Sequence, residues 1–415
     1  MVTIAKSADA IRKQNPTPKV ELSVALLTGC QDRSYAFGLA MALASKGVRV
    51  DIIGNDRVDS PEFHTSPNLT FLNLGGIQHP ESSFPTRLFQ VLLYYLRLIR
   101  YVTFGNPKLI HILWNSKFEY FDRTFLMIYC KLLRKKIALT AHNVNRGKRD
   151  SSDSLLNRLT LRIQYRLADQ IFVHTDKMRS ELLDDFGVRR DAVGRIPFGI
   201  NIAVPHTSLT PTAARHKLGI QRGEKTILFF GRIAPYKGLE FLLTAFHKIS
   251  SNHANYRLII AGEPMKGYEE YLKGIHLIIS QTDMQNRIIQ RLEFVPDGET
   301  ELYFKSADVL VLPYKDIFQS GVLFLGFSFG LPAITADVGS FREDIVQGQT
   351  GFCYDPGDSS SLADTIIKFF NSDLYGHLDE RRLEIRDFAN MHHSWDRVGE
   401  LTRKVYEELI TEKVE

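Results

Sequence analysis

Cysteine is scarce in this 415-residue chain, where Cys30, Cys130 and Cys353 lie far apart. An odd, scattered set excludes a disulfide framework and a cysteine-based zinc site, and it fits a reducing cytoplasm. Long hydrophobic runs are missing as well. The most apolar stretch, Leu88 to Tyr101, is interrupted by Gln90, Arg97 and Arg100 and falls short of the roughly 20 residues needed to cross a bilayer. The opening MVTIAKSADAIRKQNP holds no apolar core of the kind a secretory leader carries. Neither a leader nor a transmembrane helix is expected. The chain also lacks G-x-G-x-x-G at its first βα turn, which reads T-G-C-Q-D-R-S-Y-A-F-G, and it lacks a Walker A loop. Those absences exclude the usual nicotinamide, flavin and P-loop chemistries. No internal repeat of 20–50 residues is found, which excludes a solenoid.

What is present fits a soluble globular chain, with 44% hydrophobic and 24% charged residues. The length exceeds one ordinary core and suits two domains. The net charge of +5 hides an asymmetry, because residues 1–200 hold 29 Lys and Arg against 18 Asp and Glu, and residues 201–415 hold 23 against 29. A basic half joined to an acidic half points to two domains, the basic one facing something anionic.

Strand-like and helix-like runs alternate through both halves. In the first, β-rich runs stand at Val20–Leu27, Val48–Gly54, Leu69–Leu74, Leu109–Trp114, Ile137–Ala141 and Gln170–His174. A helix from about Tyr35 to Lys46 ends at Gly47, and it joins the first two strands as a βαβ unit. Between Ile200 and Lys225 the pattern lapses into a proline- and threonine-rich segment. It restarts with strands at Thr226–Phe230, Arg257–Ala261, Ile288–Phe294, Val309–Leu312, Ala333–Ala336 and Gly351–Tyr354, and it ends in an amphipathic helix, Trp395–Ile410. The expected fold is α/β, two doubly wound Rossmann-like domains facing across a cleft. Residues 1–200 form the first, 201–224 the linker, 225–394 the second, and 395–415 the closing helix.

The segment from Leu228, L-F-F-G-R-I-A-P-Y-K-G-L-E-F-L-L-T-A-F, carries the chemistry. A strand ends at Phe230, Gly231 turns, and Arg232 and Lys237 stand five apart just before an amphipathic helix. Two fixed cations beside a helix N-terminus can clamp a diphosphate. A surface Arg and Lys in a tight βα loop is the plainer reading, and spacing alone does not choose between them.

The same segment resembles the retaining GT-B glycosyltransferases of glycosyltransferase family 4. The likeness continues through A-G-E-P at Ala261 and F-V-P-D-G-E-T-E-L-Y-F-K-S-A-D-V-L-V-L-P-Y from Phe294. It extends to F-G-L-P-A-I-T-A-D-V-G-S-F-R-E-D-I-V-Q-G-Q-T-G-F-C-Y-D-P-G-D from Phe329, and more loosely to T-A-H-N at Thr140 and I-P-F-G-I-N at Ile196. The resemblance implies a nucleotide-sugar donor on the second domain and an acceptor on the first, with the last helix packing back on the first. It makes Arg232 and Lys237 the pair that stabilises the leaving nucleotide, without metal or other cofactor; no D-x-D occurs in the motif region. It places the nucleobase near the backbone of Val295 and His142 near the transferred sugar, although a histidine at a strand end is often only a structural hydrogen-bonder. Gly29, in the first loop, approaches donor or acceptor, or serves as a plain turn glycine.

The pattern breaks at one place. Many family members carry two glutamates eight positions apart before G-x-P; aligned on Gly330-Leu331-Pro332, those positions are Ile317 and Leu325. Asp316 is the candidate substitute, with Gln319, Ser320, Gly321 and Val322 as the remaining donor-binding loop. Altered donor specificity or lost activity are the alternatives.

Arg158, Arg162 and Arg166 recur at i, i+4, i+8 and form one ridge on a helix, with Arg146, Lys148 and Arg149 just before it. These are the candidate acceptor or membrane surface; anionic lipid attracts such clusters at about 1 kcal/mol per residue. A solvated helix face is the competing reading. The Leu88–Tyr101 helix is expected to be buried rather than to anchor at an interface. No aromatic-interleaved basic motif of a nucleic-acid reader is present, so nucleic acid is not an expected partner. The expected function is transfer from a nucleotide-diphosphate sugar to a glycan or lipid-linked acceptor in surface polysaccharide assembly. The expected location is cytoplasmic, at the inner face of the plasma membrane. A non-catalytic homologue binding a nucleotide sugar or a partner transferase is the second reading, and a sugar-nucleotide epimerase the third.

Overall fold

A computed structural model describes residues 22–76, 84–149, 152–251, 253–280 and 284–411. The opening MVTIAKSADAIRKQNP and the start of the first expected strand, Val20 and Glu21, lie outside the described residues. The first sheet is parallel throughout and contains β1 (Ser23–Leu27), β2 (Arg49–Gly54), β3 (Leu69–Asn73), β4 (Leu109–Ile112), β5 (Lys136–Thr140), β6 (Gln170–Val173) and β7 (Val193–Arg195). Its order is β3-β2-β1-β4-β5-β6-β7. The second sheet contains β8 (Lys225–Phe230), β9 (Tyr256–Ala261), β10 (Ile288–Arg291), β11 (Val309–Leu312), β12 (Ala333–Ala336) and β13 (Gly351–Tyr354). It too is parallel, in the order β10-β9-β8-β11-β12-β13.

The strands are runs of Val, Ile, Leu and Ala because helices cover both faces, and every residue of β4, β6, β11 and β12 is buried. Strand order reverses between β1 and β4 in the first sheet and between β8 and β11 in the second. At such a switch point the loops leaving the two strands diverge and open a crevice beyond their C-terminal ends. The loops holding Gly29 and Gly231 start at those points.

Two features depart from expectation. β7 is only Val-Gly-Arg, too short to carry a pattern of its own, and it joins through β6. The second concerns the apolar stretch within helix Phe84–Phe104. Tyr94, Tyr95, Leu98 and Val102 are buried against the first sheet, yet Leu88, Phe89, Leu92 and Leu96 are 43–66% exposed. Expected burial therefore holds for one face only. The helix is apolar around more of its circumference than one sheet face can cover. No helix among the described residues is long and apolar enough to cross a membrane.

Two chain segments cross between the domains side by side. The Ile200 amide donates to the His393 carbonyl at 3.0 Å, and Trp395 Nε1 donates to the Ile200 carbonyl at 2.6 Å. Phe198 stacks on Phe324 of the second domain with ring centroids 5.4 Å apart. Helix Trp395–Thr411 then lies along helix Arg33–Ser45 of the first domain. A Cβ on Gly399 would stand 2.9 Å from Ala42 Cβ, so the glycine permits that approach. Further along, the Tyr406 hydroxyl reaches His111 Nδ1 at 2.5 Å, and His111 Nε2 meets the Thr140 hydroxyl at 2.8 Å. His111 is thus a satisfied core residue.

Candidate active site

The loop after β8 builds one wall of the cleft. Gly231 has φ +103°, and the chain then runs through Arg232 into a 3-10 turn, Pro235–Lys237. Gly238 follows at φ +64° and opens helix Leu239–Ser250; a Cβ there would overlap the Pro313 carbonyl, so both conformation and space require glycine. The turn drives Lys237 inward. Its side chain is buried, its ammonium donates to the Tyr314 hydroxyl, and it stands 3.9 Å from the Tyr314 ring centroid.

Lys237 lines a cavity of about 300 Å³ with Gln319, Ser320, Gly321, Val322 and, from the first domain, Asp32. Gly321 and Val322 begin helix Gly321–Ser328, and no side chain caps that N-terminus. The first turn of that helix and the Lys237 side chain line the same space, which suits an anion. Ile317 and Leu325 line this cavity too, so the two positions that lack carboxylates belong to it. Asp316 does not line it. That residue is exposed, and its charge helps raise the Glu181 carboxyl of the first domain, behind burial and Asp185.

A buried carboxylate unmarked in the sequence stands behind the loop instead. Asp344 accepts from the Ser340 hydroxyl at 2.6 Å and from the Gln319 side chain. Burial pushes it up to about 6 against those bonds. Only its place behind Gln319, 25 residues away, distinguishes it from other aspartates.

Arg232 is exposed and lines a second cavity of about 240 Å³, with His142, Arg146, Trp114, Tyr236 and Met265. Arg232 and Lys237 therefore leave the same loop into adjoining cavities. Asp32 caps helix Arg33–Ser45 by accepting from the Tyr35 amide at 3.1 Å. Enclosure raises its carboxyl, against the pull of the Tyr35 and Ser34 amides and the Arg232 charge.

His142 lies just past β5, where its ring stacks on Trp114 at 4.2 Å and 5° and meets the edge of Tyr35 at 4.5 Å. Its Nδ1 is 3.4 Å from His174 Nε2, and its Nε2 is buried without a partner. Burial, then the charges of His174 and His111, holds His142 well below the usual imidazole range, and burial takes His174 down to about 4. Both are neutral near pH 7. His174, 32 positions away, is the neighbour of His142 that carries no signal in the sequence.

Gly29 lies in a third cavity, of about 280 Å³ and within the first domain, with Cys30, Arg57, Tyr94 and Lys117. Gly29 has φ +58°, and a Cβ would stand 2.6 Å from the Trp114 carbonyl. Val295 is 8% exposed in the second core and lines none of the three cavities. Among the described residues no cluster of His, Cys, Asp or Glu could hold a metal.

Arg158, Arg162 and Arg166 are exposed along helix Leu155–Leu167. Arg158 is paired with Asp153 at 2.6 Å and Lys148 with Asp185 at 3.9 Å, and Arg146 lines the cavity that holds Arg232 and His142. The Arg149 side chain lies outside the described residues. Leu155, Leu156 and Leu159 are exposed on the same helix, so the ridge is not a purely solvated face.

Residues 33–204 match the family model described as Glycosyltransferase Family 4, and residues 212–388 match Glycosyl transferases group 1. A D-inositol 3-phosphate glycosyltransferase of Corynebacterium efficiens is 24% identical over 294 residues, 68% of this chain and 67% of that protein. Among solved structures, sucrose-phosphate synthase from Thermosynechococcus elongatus superposes with a TM-score of 0.75 at 18% identity, covering 94% of this chain and 99% of that one. Anabaena HepE in complex with UDP-glucose superposes with a TM-score of 0.71 at 15% identity, covering 93% and 99%. At those identities the structural likeness bears on the fold.

Proposed function

The chain belongs to the glycosyltransferases of family 4, with the GT-B fold, and from that premise we propose that it is a retaining, metal-independent transferase. It moves a sugar from a nucleotide-diphosphate sugar to a glycan or lipid-linked acceptor. The observation that carries this reading is the buried Lys237 ammonium, which shares a cavity with the uncapped N-terminus of helix Gly321–Ser328. Arg232 and His142 line the adjoining space.

The donor spans these two cavities. As the bond from the anomeric carbon to the β-phosphate oxygen breaks, negative charge grows on the leaving diphosphate. Lys237, Arg232 and the amides of Gly321 and Val322 stabilise it where a metal would serve elsewhere. The acceptor hydroxyl attacks the anomeric carbon from the same face and gives its proton to an oxygen of the departing phosphate. No side chain acts as base, and no cofactor takes part. Gln319 and Ser320 offer hydrogen bonds where the glutamate pair is missing, while the apolar Ile317 and Leu325 narrow the choice of donor.

The acceptor comes from the first domain, by way of the cavity at Gly29. Helix Phe84–Phe104 exposes Leu88, Phe89, Leu92 and Leu96, and the basic helix Leu155–Leu167 exposes three leucines of its own. Apolar side chains among cations suit an anionic bilayer surface. We place the enzyme on the cytoplasmic face of a membrane, where lipid-linked acceptors for surface polysaccharide are found.

The test is nucleotide release from a panel of UDP-, GDP- and ADP-sugars by wild type and Lys237→Ala. Slow hydrolysis of one donor, abolished by the substitution, supports transfer and names base and sugar together. Donor-dependent thermal stabilisation with no release from any donor favours the second reading, a non-catalytic nucleotide-sugar binder. Ile317 and Leu325 in the donor cavity are the observation behind that alternative.

A further inference from the structure

We infer that His174 is a positioning residue that fixes the tautomer of His142, so that His142 Nε2 presents a lone pair to a hydroxyl or amide N–H of the donor sugar. The identity of the ligand rests on the transferase reading above; the tautomer does not.

One group beside this histidine pair has a fixed hydrogen-bonding role. The Ile196 carbonyl oxygen can only accept, so His174 Nδ1, 3.2 Å away, carries the hydrogen. A neutral imidazole has one N–H, which leaves His174 Nε2 as an acceptor. His142 Nδ1 stands 3.4 Å from that atom and must supply the hydrogen between them. With its single hydrogen engaged, His142 keeps a lone pair on Nε2. That nitrogen is buried and has no hydrogen-bond partner among the described residues, while the residue lines the cavity shared with Arg232. The structure thus leaves a shielded acceptor for a ligand to satisfy.

The ring is held in place for this role. Trp114 stacks against one face, and Tyr35 meets it edge to face. A 180° flip would put carbon opposite His174 Nε2 and lose the one hydrogen bond that the His142 ring makes among the described residues. His111 and His393 act on His142 and His174 in the direction that disfavours protonation, in support of burial, and Arg232 and Arg146, which share the cavity with His142, are cations of the same sign. Both rings stay neutral near pH 7, so each carries a single N–H.

The consequence is a choice of ligand group. A lone pair accepts a hydrogen bond from an alcohol O–H and repels a carboxylate. The sugar group that meets His142 is therefore a hydrogen-bond donor, a hydroxyl or an amide N–H, and a carboxylate at that position is rejected. Phosphate recognition is left to the cations across the cleft.

The test is a long-range 1H–15N spectrum of ¹⁵N-histidine-labelled protein without ligand, with His142 assigned by the signals lost in His142→Asn. The expected result is a neutral ring protonated on Nδ1, and His174 protonated on Nδ1 as well. His174→Leu removes the acceptor and is expected to abolish that signature. His174→Gln keeps an oxygen near the Nε2 position and is expected to retain it. Nucleotide release at subsaturating donor should fall about tenfold or more in the Leu variant, the equivalent of one neutral hydrogen bond, and recover in the Gln variant. A wild-type His142 protonated on Nε2, or an unchanged signature in His174→Leu, overturns the inference. If the leucine variant does not fold, the wild-type spectrum decides it alone. Should no donor be turned over while the signature is present, the transferase reading fails and the tautomer assignment stands.

Discussion

Gly38→Ala should destabilise this protein, although the same change in most helices does the opposite. Gly38 lies inside helix Arg33–Ser45, and replacing an interior helical glycine with alanine ordinarily stabilises by about 0.5–1 kcal/mol. Here a Cβ would come under 3.0 Å from Cε2, Cζ2 and Nε1 of Trp395. The indole cannot slide away, because a Cβ on Gly199, on its other side, would also fall under 3.0 Å from it. The ring is clamped between two backbones, and Nε1 is tied to the Ile200 carbonyl at 2.6 Å. Overpacking of this kind costs about 1–3 kcal/mol, and losing a buried tryptophan altogether about 3–5 kcal/mol. After the propensity gain is offset, a net loss of about 2 kcal/mol is expected. Urea unfolding followed by fluorescence reads it, since Trp395 is one of only two tryptophans. The decisive control is a double-mutant cycle: with Trp395→Ala in place, Gly38→Ala should become neutral or stabilising. An increase in the unfolding midpoint for Gly38→Ala alone, or an equal effect in both backgrounds, would refute the reasoning.

Four further outcomes are expected. Lys237→Met should lower donor-dependent nucleotide release by about 10²–10³-fold while far-ultraviolet dichroism is unchanged, and Lys237→Arg should not restore it, because a planar guanidinium does not fit the pocket formed by Tyr314. Glu301 is pushed up by burial, but hydrogen bonds from Thr207 and Lys305 outweigh that and take it down to about 2. A lowered carboxylate stabilises the fold above its unfolded value and loses that contribution as pH falls toward about 2, so Glu301→Gln should flatten the acid limb of urea stability measured between pH 5 and pH 2 and cost about 1–3 kcal/mol at pH 7. Leu92→Glu with Leu96→Glu should cut sedimentation with anionic liposomes, and replacing Arg158, Arg162 and Arg166 with serine should weaken it by about 1 kcal/mol each at low salt; undiminished binding by both variants would remove the membrane proposal. Gly238→Ala should lower the melting temperature, because the residue sits at φ +64° with the Pro313 carbonyl in the way of a Cβ.

Much of the second domain is legible in the sequence. The expected strands Val309–Leu312, Ala333–Ala336 and Gly351–Tyr354 coincide with β11, β12 and β13. Each is a short apolar run bounded by turn residues, and a strand buried on both faces needs no more than that. The expected strand Ile288–Phe294 is longer than the one observed, since β10 ends at Arg291, and the following Leu-Glu-Phe turns away from the sheet. The first domain was harder. Helix Phe84–Phe104 is apolar on two sides, and its composition alone could not show that Leu92 and Leu96 face outward while Tyr95 and Leu98 face in.

The sequence by itself determined the alternation that makes two parallel sheets, the glycine turn carrying Arg232 and Lys237, and the family to which those motifs belong. These are properties of contiguous residues, written as propensity, periodicity and spacing. Tertiary structure decided which of them meet. It put Lys237 and Arg232 into neighbouring cavities, aligned His174 behind His142, set Asp344 behind Gln319, and closed Gly38 and Gly199 on Trp395. Apart from Lys237 and Arg232, which share one loop, such partners lie tens to hundreds of positions apart, brought together where the C-terminal edges of the two sheets face one another. No local signal encodes those meetings, because each depends on how helices and strands from separate stretches pack around a shared core.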